Sequence, residues 1–287
     1  MIVKKLLRIG KPAVKGSILV IFGILNSRIG IGVEIFTNNL IYGPLAYLFL
    51  ALSGIIIIKL LHILNNPYDR GKLNKNRVLL VLGILSIISL ILIICNIFEN
   101  LTIYYLNIPI ILFTAFIIAF WIALGYFGAK NIIEKISVKI LVFTFSFSLG
   151  LFYGVFLNTY IIPTQIYFFF LSLSFLQLSR EFSKRLNEKE KIKEYLRFPY
   201  KIDERNLLKF SLFFQFAAII FLIIPVFLEI YNNFILLFFM VFNLIAIGIA
   251  SILTLASLIE KEIYNSISLI LKIGILLELI MFLVLGI

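Results

Sequence analysis

Apolar residues in this chain run in blocks of about twenty, each closed by a short polar break, and they do not alternate residue by residue. A block of about 20 residues matches, as a helix, the ~30 Å hydrocarbon core of a bilayer. Strands of a membrane barrel would instead alternate inward and outward over about 10 residues. Lipid offers an unpaired backbone group no partner, so helices are the spanning element the pattern predicts. The pattern places nine spans, at roughly 15–35, 40–63, 78–97, 104–126, 138–157, 160–179, 207–230, 233–256 and 264–286. The expected fold class is therefore all-α: a multi-pass membrane protein with one transmembrane helical domain over residues 1–287 and cytoplasmic loops at about 64–77, 127–137 and 180–206.

Composition agrees. With 62% hydrophobic and only 14% charged residues among 287, the chain has too little polar surface to cover a soluble globule. The net charge of +12 would suit nucleic acid, but the basic residues cluster at helix ends, where topology explains them, so no nucleic-acid partner is expected. Five Lys and Arg precede the first span (Lys4, Lys5, Arg8, Lys11, Lys15), four lie in the second connection, three in the fourth, ten between Arg180 and Lys209, and one in the eighth. The intervening connections carry none. Since basic loops stay on the cytoplasmic face, the alternation predicts a cytoplasmic N-terminus and an external C-terminus in a cell membrane. The only cysteine, Cys95, lies inside an apolar span, which excludes a disulfide within the chain.

The polar exceptions gather at the expected cytoplasmic ends of the second, fourth and sixth spans. Lys59, His62, Asn66 and Asp69 recur at helical spacing, so one face of the second span turns polar before Pro67 breaks the helix. Lys59 can snorkel to the interface, and His62 stands alone without other metal-type ligands. Arg180, Lys184 and Glu188 fall at i, i+4 and i+8, so the sixth helix should project beyond the membrane, ending before Pro199, with a new helix beginning near Glu204. The segment 124–136, with Tyr126 and Lys130, has the residues of an interfacial anchor. Polar groups on one helical face at membrane depth otherwise mark an interior cavity. Here it would open to the cytosol.

These features resemble the UbiA superfamily of intramembrane prenyltransferases, including the archaeal digeranylgeranylglyceryl phosphate synthases. That family carries N-D-x-x-D-x-x-x-D after its second helix, running on into D-K-x-N-x-P-x-R, and a second aspartate motif after its sixth. In this chain the first motif's Asn falls on Asn65, its first Asp on Asn66 and its second on Asp69; the third is lost or stands at Gly71, while Lys72, Asn74 and Arg77 match the tail. In the second, Arg180, Glu181 and Lys184 resemble the R-E-x-x-K lead-in, but the three aspartates fall on Arg185, Glu188 and Ile192. Tyr126 and Lys130 match the Tyr-x-x-x-Lys stretch after the fourth helix, and Lys11-Pro12 resembles the R-P near the start.

The resemblance implies a nine-helix UbiA-like bundle that moves an isoprenoid chain from a prenyl diphosphate to a lipid or aromatic acceptor. It implies catalytic positions at Asp69, Tyr126 and Lys130, diphosphate contacts from Arg77, Lys72, Arg180, Lys184 and Arg185, and metal ligation by Asn65, Asp69 and Glu188. Asn65, Asp69, Arg77, Tyr126, Lys130, Lys184 and Glu188 should then converge at one mouth of the bundle. Mg²⁺ use should be reduced or absent, because the whole chain has only two aspartates, Asp69 and Asp203. Arginine recognises phosphate in bidentate fashion and could take the place of a metal–aspartate pair. The alternative is a non-catalytic relative that binds an isoprenoid or a membrane partner. A small-molecule transporter is a third reading, without the paired broken helices or inverted repeat that would support it.

Overall fold

The computed structural model describes residues 2–27, 38–65, 75–99, 104–130, 134–193, 204–230, 233–259 and 263–286. Among them are nine helices and no strand: α1 (Ile2–Asn26), α2 (Asn39–Asn65), α3 (Lys75–Glu99), α4 (Tyr104–Lys130), α5 (Glu134–Phe156), α6 (Thr164–Lys193), α7 (Glu204–Phe227), α8 (Phe234–Ala256) and α9 (Tyr264–Gly286). Within α2, α3, α7, α8 and α9, five segments of 20 to 23 residues are long and apolar enough to cross a membrane, with shorter apolar runs in α4 and α5. The chain is a multi-pass membrane protein.

Helices α2 to α9 begin within four residues of the expected starts. The projection of α6 to Lys193 and the start of α7 at Glu204 also follow the spacing of their charges. α1 differs: it begins at Ile2, so Lys4, Lys5, Arg8, Lys11 and Lys15 belong to the helix rather than to a segment before it, and it ends at Asn26. Arg28, expected inside the first span, lies outside the described residues.

Two compact units make up the chain, Met1–Pro163 and Thr164–Leu285. In the first, α1 and α5 cross at backbone contact. A Cβ at Gly16 would lie 2.3 Å from the Ser146 carbonyl oxygen, one at Gly150 2.1 Å from that of Gly16, and one at Gly154 2.1 Å from that of Val20. Only hydrogen fits between these backbones, which is how small residues hold membrane helices together without a hydrophobic driving force. Polar side chains close one end of the interface: Asn158 Nδ2 donates to Ser27 Oγ at 2.9 Å, and Asn39 Nδ2 at the start of α2 to the Leu157 carbonyl at 2.8 Å. Tyr47 from α2 donates to the Ser146 carbonyl at 3.2 Å and tilts against the ring of Tyr153 at 5.6 Å between centroids. Trp121 lies against Gly54, where a Cβ would come within 2.6 Å of the indole. α3 touches α2 through Ser89, whose hydroxyl donates to the Ala46 carbonyl at 3.3 Å, and leaves Leu80, Ile87, Leu90 and Phe98 exposed, as a lipid-facing helix does.

In the second unit, α6 and α7 meet through a ladder of rings, with Phe182 and Phe214 stacked at 5.8 Å and Phe175 and Phe214 at 5.7 Å. Phe169 of α6 meets Phe282 of α9 edge to face at 4.5 Å. The turn after α7 is a left-handed cap: Ile230 N–H donates to the Pro225 carbonyl at 2.9 Å and Glu229 N–H to that of Val226 at 3.0 Å, with Glu229 at φ 56°. This pairing closes the carbonyls a helix end leaves open, at a position where glycine is the usual occupant. Asn233 begins the next helix by accepting from Ile235 N–H at 2.9 Å, the usual side-chain cap for an orphan donor.

Candidate functional site

The second half of α6, "QLSREFSKR" from Gln177 to Arg185, carries polar residues on two faces of one helix. Ser179 and Ser183, one turn apart, face α7. Both hydroxyls lie within hydrogen-bond distance of Ser211 Oγ, at 2.8 and 3.0 Å. Gln215 Nε2 reaches Ser179 Oγ and Thr254 Oγ1, each at 3.0 Å. All five residues are completely buried. The hydroxyls of Ser183 and Thr254 also bond along their own helices, to the Ser179 carbonyl at 3.1 Å and the Ala250 carbonyl at 2.7 Å, which lets such residues sit inside an apolar span. The cluster ties α6, α7 and α8 together.

The other face holds charge. Glu181 is 4% exposed, and a buried carboxylate is tolerated only when paired. It accepts from Gln177 Nε2 at 3.3 Å and from Arg180 Nη1 at 3.4 Å, and Lys184 Nζ lies 3.9 Å from its second oxygen. The i, i+4 spacing from Gln177 and i, i+3 spacing to Lys184 put these groups on neighbouring positions of the helix surface. The contacts are longer than the ~2.7–2.9 Å of strong charge-assisted hydrogen bonds. Arg180 Nε, moreover, is buried with no hydrogen-bond partner among the described residues. Two cations share one carboxylate, and a guanidinium donor remains for an incoming acceptor. Such an arrangement can take an anion.

Of the residues singled out from sequence, Arg180 and Lys184 are thus brought together. Arg77 is exposed in the first turn of α3. Asn65 closes α2, Tyr126 and Lys130 fall in the last turns of α4, and Arg185 and Glu188 continue α6; the side chains of these five lie outside the described residues. Asp69 and Lys72 lie outside them altogether. Glu181 matched the motif's lead-in but was not expected in the site. Its spacing from Gln177 and Lys184 is the signal that identifies it.

The fit of this end of α6 to Mg²⁺ is poor. The ion takes carboxylates together with water and phosphate oxygens, whereas the one described carboxylate here is already held by two cations. Among the described residues no three His, Cys, Asp or Glu side chains gather.

Comparison with known proteins places the fold. No protein-family model and no curated protein matches the chain. A solved structure from work on digeranylgeranylglyceryl phosphate synthase in membranes does match, with a TM-score of 0.62 at 20% identity, covering 98% of this chain and 99% of that one. That protein is a UbiA-family prenyltransferase, and the chain has its fold.

Proposed function

We propose that this protein is a UbiA-like intramembrane prenyltransferase of the cell membrane, with its site opening to the cytosol, that moves an isoprenoid chain from a prenyl diphosphate to a lipid or aromatic acceptor. The observation that carries the reading is the unpartnered guanidinium donor of Arg180 beside Glu181 and Lys184, on a helix of a chain with this fold. In such a transfer the bond from the prenyl carbon to the diphosphate oxygen breaks with its electron pair going to the diphosphate. The acceptor atom forms the new bond to that carbon and loses its proton to a base or water. The charge developing on the leaving group is the largest demand on the site, and preorganised cations meet it at low dielectric. Arg180, Lys184 and Arg185 supply that charge from α6, and Lys72 and Arg77 add to it. Asp69, Tyr126 and Lys130 are the proposed catalytic positions, on the resemblance of their motifs. No step is assigned to Mg²⁺; an ion held by Asn65, Asp69 and Glu188 is the competing arrangement, and its mark would be metal-dependent binding.

The scarcity of aspartate, Asp69 and Asp203 in the whole chain, favours a second reading: a non-catalytic member that binds an isoprenoid or a membrane partner in the same fold. One experiment separates them. Purified protein is mixed with labelled prenyl diphosphates, with Mg²⁺ or with EDTA, and both binding and turnover are measured. Under the main proposal Arg185→Ala abolishes diphosphate binding while EDTA only weakens it. Essential Mg²⁺, with Arg185→Asp improving affinity, establishes the metal arrangement instead. Retention of a neutral isoprenoid without diphosphate binding in either condition establishes the non-catalytic reading.

A further inference from the structure

The second unit contains a carboxyl group that the proposed transfer does not use. Glu278, in the body of α9, is 1% exposed, and neither of its oxygens has a hydrogen-bond partner among the described residues. Its polar neighbour is the Ser172 hydroxyl of α6. That hydroxyl can donate to the carboxylate, and it also lies 3.4 Å from the Ala218 carbonyl of α7, so its single hydrogen is shared between two acceptors. One shared hydroxyl does not offset a buried carboxylate, and a positive charge is still required beside it.

A second unpartnered group comes from α8, one turn along the same face of α9. Asn243 is completely buried, and neither end of its carboxamide has a hydrogen-bond partner among the described residues. Its oxygen lies 3.1 Å from where a Cβ on Gly274 would begin. Gly274 is four residues before Glu278, one turn away on the same face of α9. Ser172, Asn243 and Glu278 therefore bring four side-chain oxygens from three helices to one buried region. The nearby helices bring no opposing charge. α8 has no ionisable residue, Lys272 of α9 is exposed on another face, and the charges of α6 and α7 begin at Arg180 and end at Lys209, about two turns along those helices from Ser172 and Ala218.

We propose that Glu278, Asn243 and Ser172 form an intramembrane site for a small monovalent cation, either a proton or an alkali-metal ion, that neutralises the glutamate. An isolated carboxylate in hydrocarbon is expensive, and ionisable residues at membrane depth mark ion or proton sites more often than structural ones. One carboxylate matches one positive charge; a divalent ion would leave a net charge buried. The oxygen donors are the kind that hard cations take. Burial of all three residues leaves a lipid headgroup no approach to them.

The test uses the whole protein in detergent and needs no enzymatic assay, so its outcome is independent of the prenyltransferase reading. Thermal unfolding of the native protein and of Glu278→Gln is followed in sodium chloride against choline chloride at equal ionic strength, and across pH 5 to 8 in choline alone. Infrared difference spectra are recorded for the carboxylic-acid carbonyl stretch. An alkali ion at ten times its half-saturating concentration should raise the native midpoint by about 3–6 °C, and Glu278→Gln should lose that rise. If the occupant is a proton, sodium has no effect, the native midpoint depends on pH where that of Glu278→Gln does not, and acidification brings up a carbonyl band that the variant lacks. Identical responses of both proteins to sodium and to pH overturn the proposal. Should Glu278→Gln not fold, Asn243→Leu keeps the carboxylate and is expected to raise the half-saturating sodium concentration, or lower the pH of half-protonation, by about tenfold or one unit. An unchanged midpoint in Asn243→Leu overturns it equally.

Discussion

Replacing Gly150 by alanine isolates the contact between α1 and α5. The new methyl would lie 2.1 Å from the Gly16 carbonyl oxygen, 2.9 Å from its carbon and 3.3 Å from its Cα. All three are backbone atoms, so no rotamer change relieves the clash. A carbon rests about 3.3–3.6 Å from a carbonyl oxygen even in a close C–H···O contact, and the helices would have to part by roughly 1 Å. A gap of about that size forfeits a quarter to a half of each dispersion contact it opens. Overpacking of this kind costs about 1–3 kcal/mol, against the ~0.5–1 kcal/mol that glycine-to-alanine returns in an unobstructed helix. Gly83 in α3 supplies the control, because a Cβ there meets nothing within 4 Å. The chain's one tryptophan, Trp121, is buried in the same unit, so its fluorescence during thermal unfolding in detergent reads both variants. Gly150→Ala should unfold at least several degrees below Gly83→Ala, and Gly16→Ala added to Gly150→Ala should cost less than it does alone, since one separation relieves both clashes. Equal midpoints for Gly150→Ala and Gly83→Ala would refute the backbone-contact account.

Three further expectations rest on other features. Gln215→Ala removes the amide that joins Ser179 and Thr254 and should destabilise by about 1–2 kcal/mol, near the upper range for hydrogen bonds between membrane helices, measured by circular dichroism on heating; no loss means that the serines re-pair without it. Glu229→Gly should stabilise by about 1 kcal/mol, because the left-handed backbone at that cap strains any residue bearing a Cβ, and the same measurement decides. In a Cys95→Ser background, Asn74→Cys and Glu194→Cys should react with an impermeant thiol reagent only from the cytosolic side; external labelling of either would reverse the proposed orientation.

Hydropathy carried most of the fold because lipid leaves a span few alternatives: the starts of α2 to α9 could be read from where the apolar runs begin. α1 was misplaced for a physical reason. Its basic residues read as a segment before the membrane, yet they extend the helix; Lys11 and Lys15 are exposed while Gly10, Ala13 and Gly16 are buried, so the helix is amphipathic rather than uniformly apolar. In the site, Arg180 and Lys184 were visible as a spacing, whereas the burial of Glu181 between them was not, since a charge run looks solvated until a neighbouring helix covers it. Glu278 and Asn243 escaped for the opposite reason. Each is a single polar residue in an apolar stretch, and averaging over a span erases it.

The crossing of α1 and α5 also bears on how the chain is made. Gly16 and Gly150 lie more than a hundred residues apart in the sequence, and at roughly 5–20 residues per second the ribosome needs many seconds after finishing one to reach the other. α6 and α7, by contrast, follow each other directly, and their serine and phenylalanine faces can join soon after they enter the bilayer. Throughout the delay, the part of the glycine face of α1 that α5 will cover has only α2, through Tyr47 beside Gly16, and lipid or the insertion machinery to lie against. Among the described helix contacts it has the longest wait for its partner, and interrupted synthesis there leaves an unfinished molecule open to a wrong helix.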